Sequence, residues 1–119
     1  SVGLGIIGGV KTSGGSFDGG NTTTWGYLME QGGYKYNGGT ETGGQGNAVN
    51  GDVIGFALDA DADTLGIYKN NSLLFTCTGV TGTYAVFEAY ANSDGATVNF
   101  GASALTYTPP SGYNAGLYS

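Results

Sequence analysis

The sequence predicts an all-β chain folded as a two-sheet antiparallel β-sandwich, and three observations carry that reading. Apolar residues recur at every second position in short runs. Glycine, 25 of the 119 residues, joins Asn, Ser and Thr in the stretches between those runs, so turns fall every ten residues or so. No window holds apolar residues at i, i+3, i+4 and i+7 without a glycine interrupting it, which removes the helical alternative. The length allows one domain, spanning residues 1–119, with a real core and little to spare.

Taken in order, Val2 to Val10 reads as a first strand and Lys11 to Thr24 as a Gly/Ser/Asn/Thr loop. Trp25-Gly26-Tyr27 opens a second strand that continues toward Met29; a lone Trp flanked by glycine fits a core corner. Gly32 to Asn50 is polar and glycine-rich, with Tyr34 and Tyr36 alternating as a short edge strand. Residues 51–75, GDVIGFALDADADTLGIYKNNSLLF, spell two successive hairpins. Ile54, Phe56 and Leu58 share one face of the first strand, and Val53, Gly55 and Ala57 the other, a pattern suited to a central strand. Leu65, Ile67 and Tyr68 mark the second strand, Lys69-Asn70-Asn71 the turn, and Leu73 and Phe75 the third. Tyr84 to Ala91 and Thr97 to Phe100 are further strands, and Leu105 to Tyr118 is an extended tail in which Pro109-Pro110 forbids helix. The predicted core holds Ile6, Ile54, Phe56, Leu58, Leu65, Ile67, Phe75, Val86, Val98 and Phe100.

Charge excludes several function classes. Three Lys, no Arg, no His and nine acidic residues give a net charge of −6, so the basic footprint that displaces counterions from phosphates is missing and no nucleic acid is expected as partner. The same deficit opposes an anionic membrane surface, and no apolar run approaches the ~20 residues of a spanning helix. A soluble chain without membrane insertion is expected. Cys77 stands alone, beside Leu74 and Phe75, and reads as a small core residue rather than a reactive thiol. Ser1 leads at once into VGLGIIGGV, so a fragment or a processed product is expected. Sequons occur at Asn21 and Asn70, in a composition that produces such triplets by chance.

Catalytic groups are scarce. Without His and with one Cys, neither a Ser-His-Asp nor a Cys-His constellation forms, and Zn or Fe lacks nitrogen and sulfur donors. No cofactor and no enzymatic activity are expected. Asp59, Asp61 and Asp63 stand at positions 1, 3 and 5 of a calcium-type loop, but Thr64 and an Asn occupy the positions where such a loop wants Gly and Glu. A hairpin turn is the favoured reading of that run and a weak cation site its alternative. Glu88 alternates with Val86 and Tyr84, which would put a carboxylate on a sheet face as in a sugar-type site, although the Glu-x-Asp-x-x-Glu pattern of glucanases is missing.

The order Trp25-Gly26-Tyr27, Gly51-Asp52-Val53-Ile54-Gly55 with Leu58-Asp59, Thr64-Leu65, Tyr68-Lys69-Asn70, Val98-Asn99-Phe100-Gly101, Tyr107 and Pro109-Pro110-Ser111-Gly112-Tyr113 resembles the SPRY domain over about three quarters of the chain. The resemblance implies a bent sandwich of the concanavalin-like lectin and glucanase type, a jelly roll used mainly as a protein-binding module. It also implies one or two strands before Val2–Val10, which this sequence lacks. Without them, the edge beside Val2–Val10 would stand unpaired and invite strand addition from another copy or another chain.

Three function classes follow. Ranked first is a non-catalytic structural or adhesive module of a virus particle, a bacteriophage decoration or fibre component making protein or host-surface contacts, because glycine-rich, Arg-free, acidic β domains are typical of such appendages. The alternatives are a cellular SPRY peptide-recognition module and a carbohydrate-binding lectin-like domain using Tyr34, Tyr36, Tyr90 or Trp25. Location on a virion or an extracellular surface is expected. By the resemblance, contacts would come from loops at one end, with Asn21, Thr23, Tyr34, Tyr36, Asn70, Asn71, Asn92 and Asp94 as candidates. Partners would be proteins, further copies of the chain, or glycans.

Overall fold

The computed structural model describes residues 2–7, 24–81, 84–89, 99 and 103–113, with the first and last strands described through their backbone pairing. The described residues form eight strands: β1 (Val2–Ile7), β2 (Thr24–Leu28), β3 (Tyr34–Asn37), β4 (Thr40–Thr42), β5 (Ile54–Asp59), β6 (Thr64–Lys69), β7 (Ser72–Cys77) and β8 (Tyr84–Ala89). No helix occurs among the described residues. The strands form two antiparallel sheets, β4-β3-β2-β1-β8 and β5-β6-β7.

Turn chemistry fixes the registers. Asn70 and Asn71, with φ of 50° and 68°, form the two-residue turn that sets Lys69 opposite Ser72. Positive φ at both central positions matches the right-handed twist of the flanking strands, and Asn tolerates it better than other side chains. Gly38 and Gly39 do the same between Asn37 and Thr40. Between β5 and β6 the acidic run makes a longer turn, in which Asp59 Oδ1 accepts from the amides of Asp61 and Ala62, each at 3.0 Å. The carboxylate satisfies donors that a tight turn would otherwise leave open.

Trp25 and Tyr27 of β2 meet Leu65 and Ile67 of β6 and Phe75 and Cys77 of β7, and Val80 closes the cluster. Tyr27, Leu65, Ile67 and Cys77 are fully enclosed. Ile54 and Phe56 pack on the rim of this core, partly buried. The Tyr27 and Phe75 rings meet edge to face, with centroids 5.8 Å apart. β2 is buried along its whole length, so both of its faces are covered.

Four expectations need correction. β1 pairs with β2 on one side and β8 on the other, so the unpaired edge beside it does not exist, and the strand-addition argument built on that edge falls. Tyr34 and Tyr36 lie in an interior strand; the edge is β4, whose Thr-Glu-Thr sequence has no apolar residue to announce it. β5 pairs only with β6 among the described residues, and β6 is central. Leu58, expected in the core, is 42% exposed, because it sits near the end of β5, beside the exposed turn at residues 60–63. The tail described at 103–113 is irregular, with a turn at Ser111-Gly112. Ile6 and Val86 lie in the two strands described by backbone alone. Val98, Phe100 and most of the strand expected from Thr97 to Phe100 lie outside the described residues.

Candidate functional site

At one end of the molecule three connections meet: the β2–β3 turn, the long β4–β5 loop and the β6–β7 turn. Asn70 joins two of them. Its Nδ2 donates to Asp52 Oδ1 at 2.8 Å, its Oδ1 accepts from the Val53 amide at 2.9 Å, and its own amide donates to the Val53 carbonyl at 2.9 Å. Asp52 closes the turn before β5: its Oδ2 accepts from the Val49 amide at 2.9 Å, and its amide donates to the Val49 carbonyl at 3.0 Å. The bond from Asn70, the Val49 amide and the nearby Lys69 charge hold the Asp52 carboxyl below its ordinary value of 3.8. Lys69 Nζ donates to the Asn47 carbonyl at 3.1 Å, tying the loop to β6 as well.

The β4–β5 loop is also laced to the β2–β3 turn. The amides of Gln45 and Gly46 donate to the carbonyls of Gly33 and Gly32, at 3.2 and 2.8 Å; Ala48 donates to Met29, and Gly32 donates to Asn47 Oδ1 at 2.7 Å. Gly33 makes that approach possible. Its φ is +78°, and a Cβ there would stand 2.1 Å from the Gly46 carbonyl oxygen. From below, the enclosed Tyr27 hydroxyl donates to the same Gly46 oxygen at 2.5 Å. Burial, followed by the negative charge of Asp52, raises the Tyr27 pKa above 10.0. The core ring therefore works as a post under the loop.

The sequence-predicted contact residues separate into distinct environments. Asn70 is engaged on both side-chain atoms; its amide nitrogen is committed to Asp52, which opposes glycan attachment in the folded state. Asn71 projects from the turn and is exposed. The Tyr34 and Tyr36 rings stack, with centroids 6.4 Å apart and 15° between planes. Tyr36 is only 5% exposed, so Tyr34, half-buried, carries whatever ring surface this pair offers. Asn21, Thr23, Asn92 and Asp94, with Tyr90, lie outside the described residues. Trp25 is in the core.

Asp59, Asp61 and Asp63 lie in the turn at the opposite end of β5 and β6, remote from Asp52 and Asn70 along both strands. Asp59 Oδ1 is occupied by backbone amides, and Asp63 sits at φ 55° with its carbonyl accepting from the Val80 amide. Local backbone bonding thus accounts for this run. Glu88 lies opposite Gly3 on β8, whereas Glu41 lies opposite Tyr36 on β4, four strand spacings away, or roughly 19 Å. Glycoside hydrolysis needs two carboxyls within about 5–9.5 Å, so this pair could not flank one glycosidic bond.

Cys77 is enclosed, and its Sγ lies 3.2 Å from the Tyr36 carbonyl. Desolvation pushes the thiol up to about 11 against the smaller opposing effects of Lys35 and the Gly26 backbone, which keeps it protonated at neutral pH.

Sequence reasoning missed the residues that organise the loop end: Tyr27, Asn47, Asp52 and Lys69. For Asp52 the signal was present, since Gly51-Asp52 before a strand reads as a turn with a side-chain bond. The others are joined across separations of 15 to 22 residues, which no local pattern encodes. Taken together, the end offers hydrogen-bond donors and acceptors in fixed positions with one ammonium group, an arrangement suited to recognition by shape and polar contact. Comparison of the chain with protein-family models, with curated proteins and with solved structures finds no match.

Proposed function

We propose that this chain is a non-catalytic recognition or structural module: a SPRY-like, concanavalin-type sandwich carried on a virus particle of the bacteriophage kind, as a decoration or fibre component that contacts proteins or a host surface. The observation that supports recognition is the bonded loop end. Backbone and side-chain bonds among Met29–Gly33, Gln45–Val53 and Lys69–Asn70 fuse three connections into one body, so a partner meets a surface that needs little ordering on binding. Glycine-rich, Arg-free, acidic composition supports the placement on a particle by association.

The test has two arms. Antibodies raised against the domain should label purified particles from cultures whose genome carries this sequence, and the labelled domain should bind the matching host cells saturably. Absence from particles would remove the virion reading. Steady turnover of a host polysaccharide by the domain would overturn its non-catalytic character.

One observation favours a glycan as the bound surface. Tyr34 presents a half-buried ring parallel to Tyr36, the kind of flat platform on which a sugar stacks. Under this second reading, binding to a glycan array falls at least severalfold in Tyr34→Ala; equal binding by the variant rejects Tyr34 as the platform.

A further inference from the structure

The sequence holds two Asn-Gly pairs within the described residues, Asn37-Gly38 and Asn50-Gly51, and the fold treats them in opposite ways. Asn37 Oδ1 accepts from the Thr78 amide at 2.9 Å, and its Nδ2 donates to Thr78 Oγ1 at 3.4 Å. The Gly38 amide donates to the Thr24 carbonyl at 3.0 Å. Both groups that would have to meet for an internal reaction are therefore held. Asn50 and Gly51 occupy the middle of the turn closed by Val49 and Asp52; both are exposed, and neither the Asn50 side chain nor the Gly51 amide has a hydrogen-bond partner among the described residues. Gly51, at φ 92°, has no side chain to shield the Asn50 amide carbon.

We propose that Asn50-Gly51 is a self-modification site, converting spontaneously by deamidation to aspartate and isoaspartate while Asn37-Gly38 is spared. The Gly51 main-chain nitrogen attacks Asn50 Cγ, and a new N–Cγ bond closes a five-membered succinimide. The Cγ–Nδ2 bond breaks, and the Gly51 amide proton leaves with that nitrogen as ammonia. Water then opens the ring. Cleavage at Cγ gives aspartate with an ordinary peptide bond, and cleavage at the Asn50 main-chain carbonyl carbon gives isoaspartate, with the chain running through Cγ. No oxidant or reductant takes part, and water is the only co-reactant.

The position gives the reaction a consequence. The product carries one more negative charge, moving the chain from −6 to −7, two residues from Asp52. In the isoaspartate form an extra methylene enters the main chain inside the turn that Val49 and Asp52 close. Conversion would therefore change, with age, the charge and shape of the bonded loop end. The chemistry itself does not depend on what that end binds.

The experiment is incubation of the intact protein at mildly alkaline pH, in native buffer and in denaturant, followed by peptide mapping and enzymatic methylation of isoaspartate. In native buffer the Asn50 peptide should convert about tenfold or more faster than the Asn37 peptide, because Asn37 and Gly38 must first open their bonds. In denaturant the two should convert at similar rates, which assigns the difference to the fold. Asn50→Gln should abolish the isoaspartate signal of the peptide that contains residue 50, leaving any signal from Asp18-Gly19 and Asp94-Gly95 in their own peptides. Equal native rates at the two sites, or an Asn50 that reacts in denaturant and stays intact in native buffer, would overturn the proposal.

Discussion

Asn70 and Asp52 both bond the backbone that leads into β5 as well as each other: Asn70 Oδ1 accepts from the Val53 amide, Asp52 Oδ2 accepts from the Val49 amide, and a 2.8 Å bond joins the two side chains. The pair couples the β6–β7 turn to the start of β5, so its energetics should be visible in both. Asn70→Ala removes two side-chain hydrogen bonds and leaves Ala at φ 50°, an expected loss of about 1–3 kcal/mol in urea unfolding. Asn70→Gly accepts that φ and should lose less. Equal losses for the two would show that backbone strain contributes nothing at this position.

Core position and rim position should separate cleanly. Ile67, fully enclosed between the sheets, should cost about 2–5 kcal/mol when truncated to Ala. Leu58→Ala should cost under about 1 kcal/mol, since much of that side chain is already in water. A Leu58 loss as large as that of Ile67 would contradict the β5–β6 arrangement.

Gly33→Ala should be among the most damaging single changes in the chain. A methyl would sit 2.1 Å from the Gly46 carbonyl at a φ of +78°, so the β4–β5 loop must detach or the turn must refold. Gly32→Ala has φ +91° and no atom within 4 Å of its added methyl, and should cost only about 1–2 kcal/mol of backbone strain. The comparison, read by melting temperature, isolates the clash from the strain.

Alkaline pH should destabilise the fold. Cys77 has its pKa raised from 9.0 to about 11, so above pH 9 the unfolded chain releases a proton that the folded chain retains. The folded state then binds more protons than the unfolded one, and stability falls as pH rises from 9 toward 11. Tyr27 and Tyr36, also raised, extend the loss further upward. Cys77→Ala should flatten the slope between pH 9 and 11 in a series of melting curves. An unchanged slope would mean that the thiol is hydrated in the folded protein.

The hairpins of residues 54–77 were legible because two signals agree there: alternation of apolar residues and turn residues that accept positive φ at Asn70 and Asn71. Cys77 in the core and Asp59 as a turn former were legible for the same local reasons. β4 was not, since Thr40-Glu41-Thr42 is a strand only because the Gly38-Gly39 turn folds it back on β3. Tyr36 looked like a surface ring because its neighbours are polar, whereas its burial comes from packing remote in sequence. The flanking of β1 by β8 joins segments about eighty residues apart, and the loop end rests on contacts such as Tyr27 to Gly46; neither leaves a mark in any short window.

β7 is an outer strand of its sheet among the described residues, and its sequence Ser-Leu-Leu-Phe-Thr-Cys is uncharged and free of proline, the composition of a segment that seeds amyloid. Ile67 pairs with Phe75 while the next residue, Tyr68, pairs with Leu73, which leaves Leu74 as one residue too many. That irregularity bends the strand and breaks the even spacing of donors and acceptors that a stacking neighbour requires. Deleting Leu74 would make the ladder regular, remove a partly buried side chain from the core margin, and turn the β7 edge into a template for fibres. One surplus leucine thus keeps the β7 edge from offering a regular ladder to a neighbour.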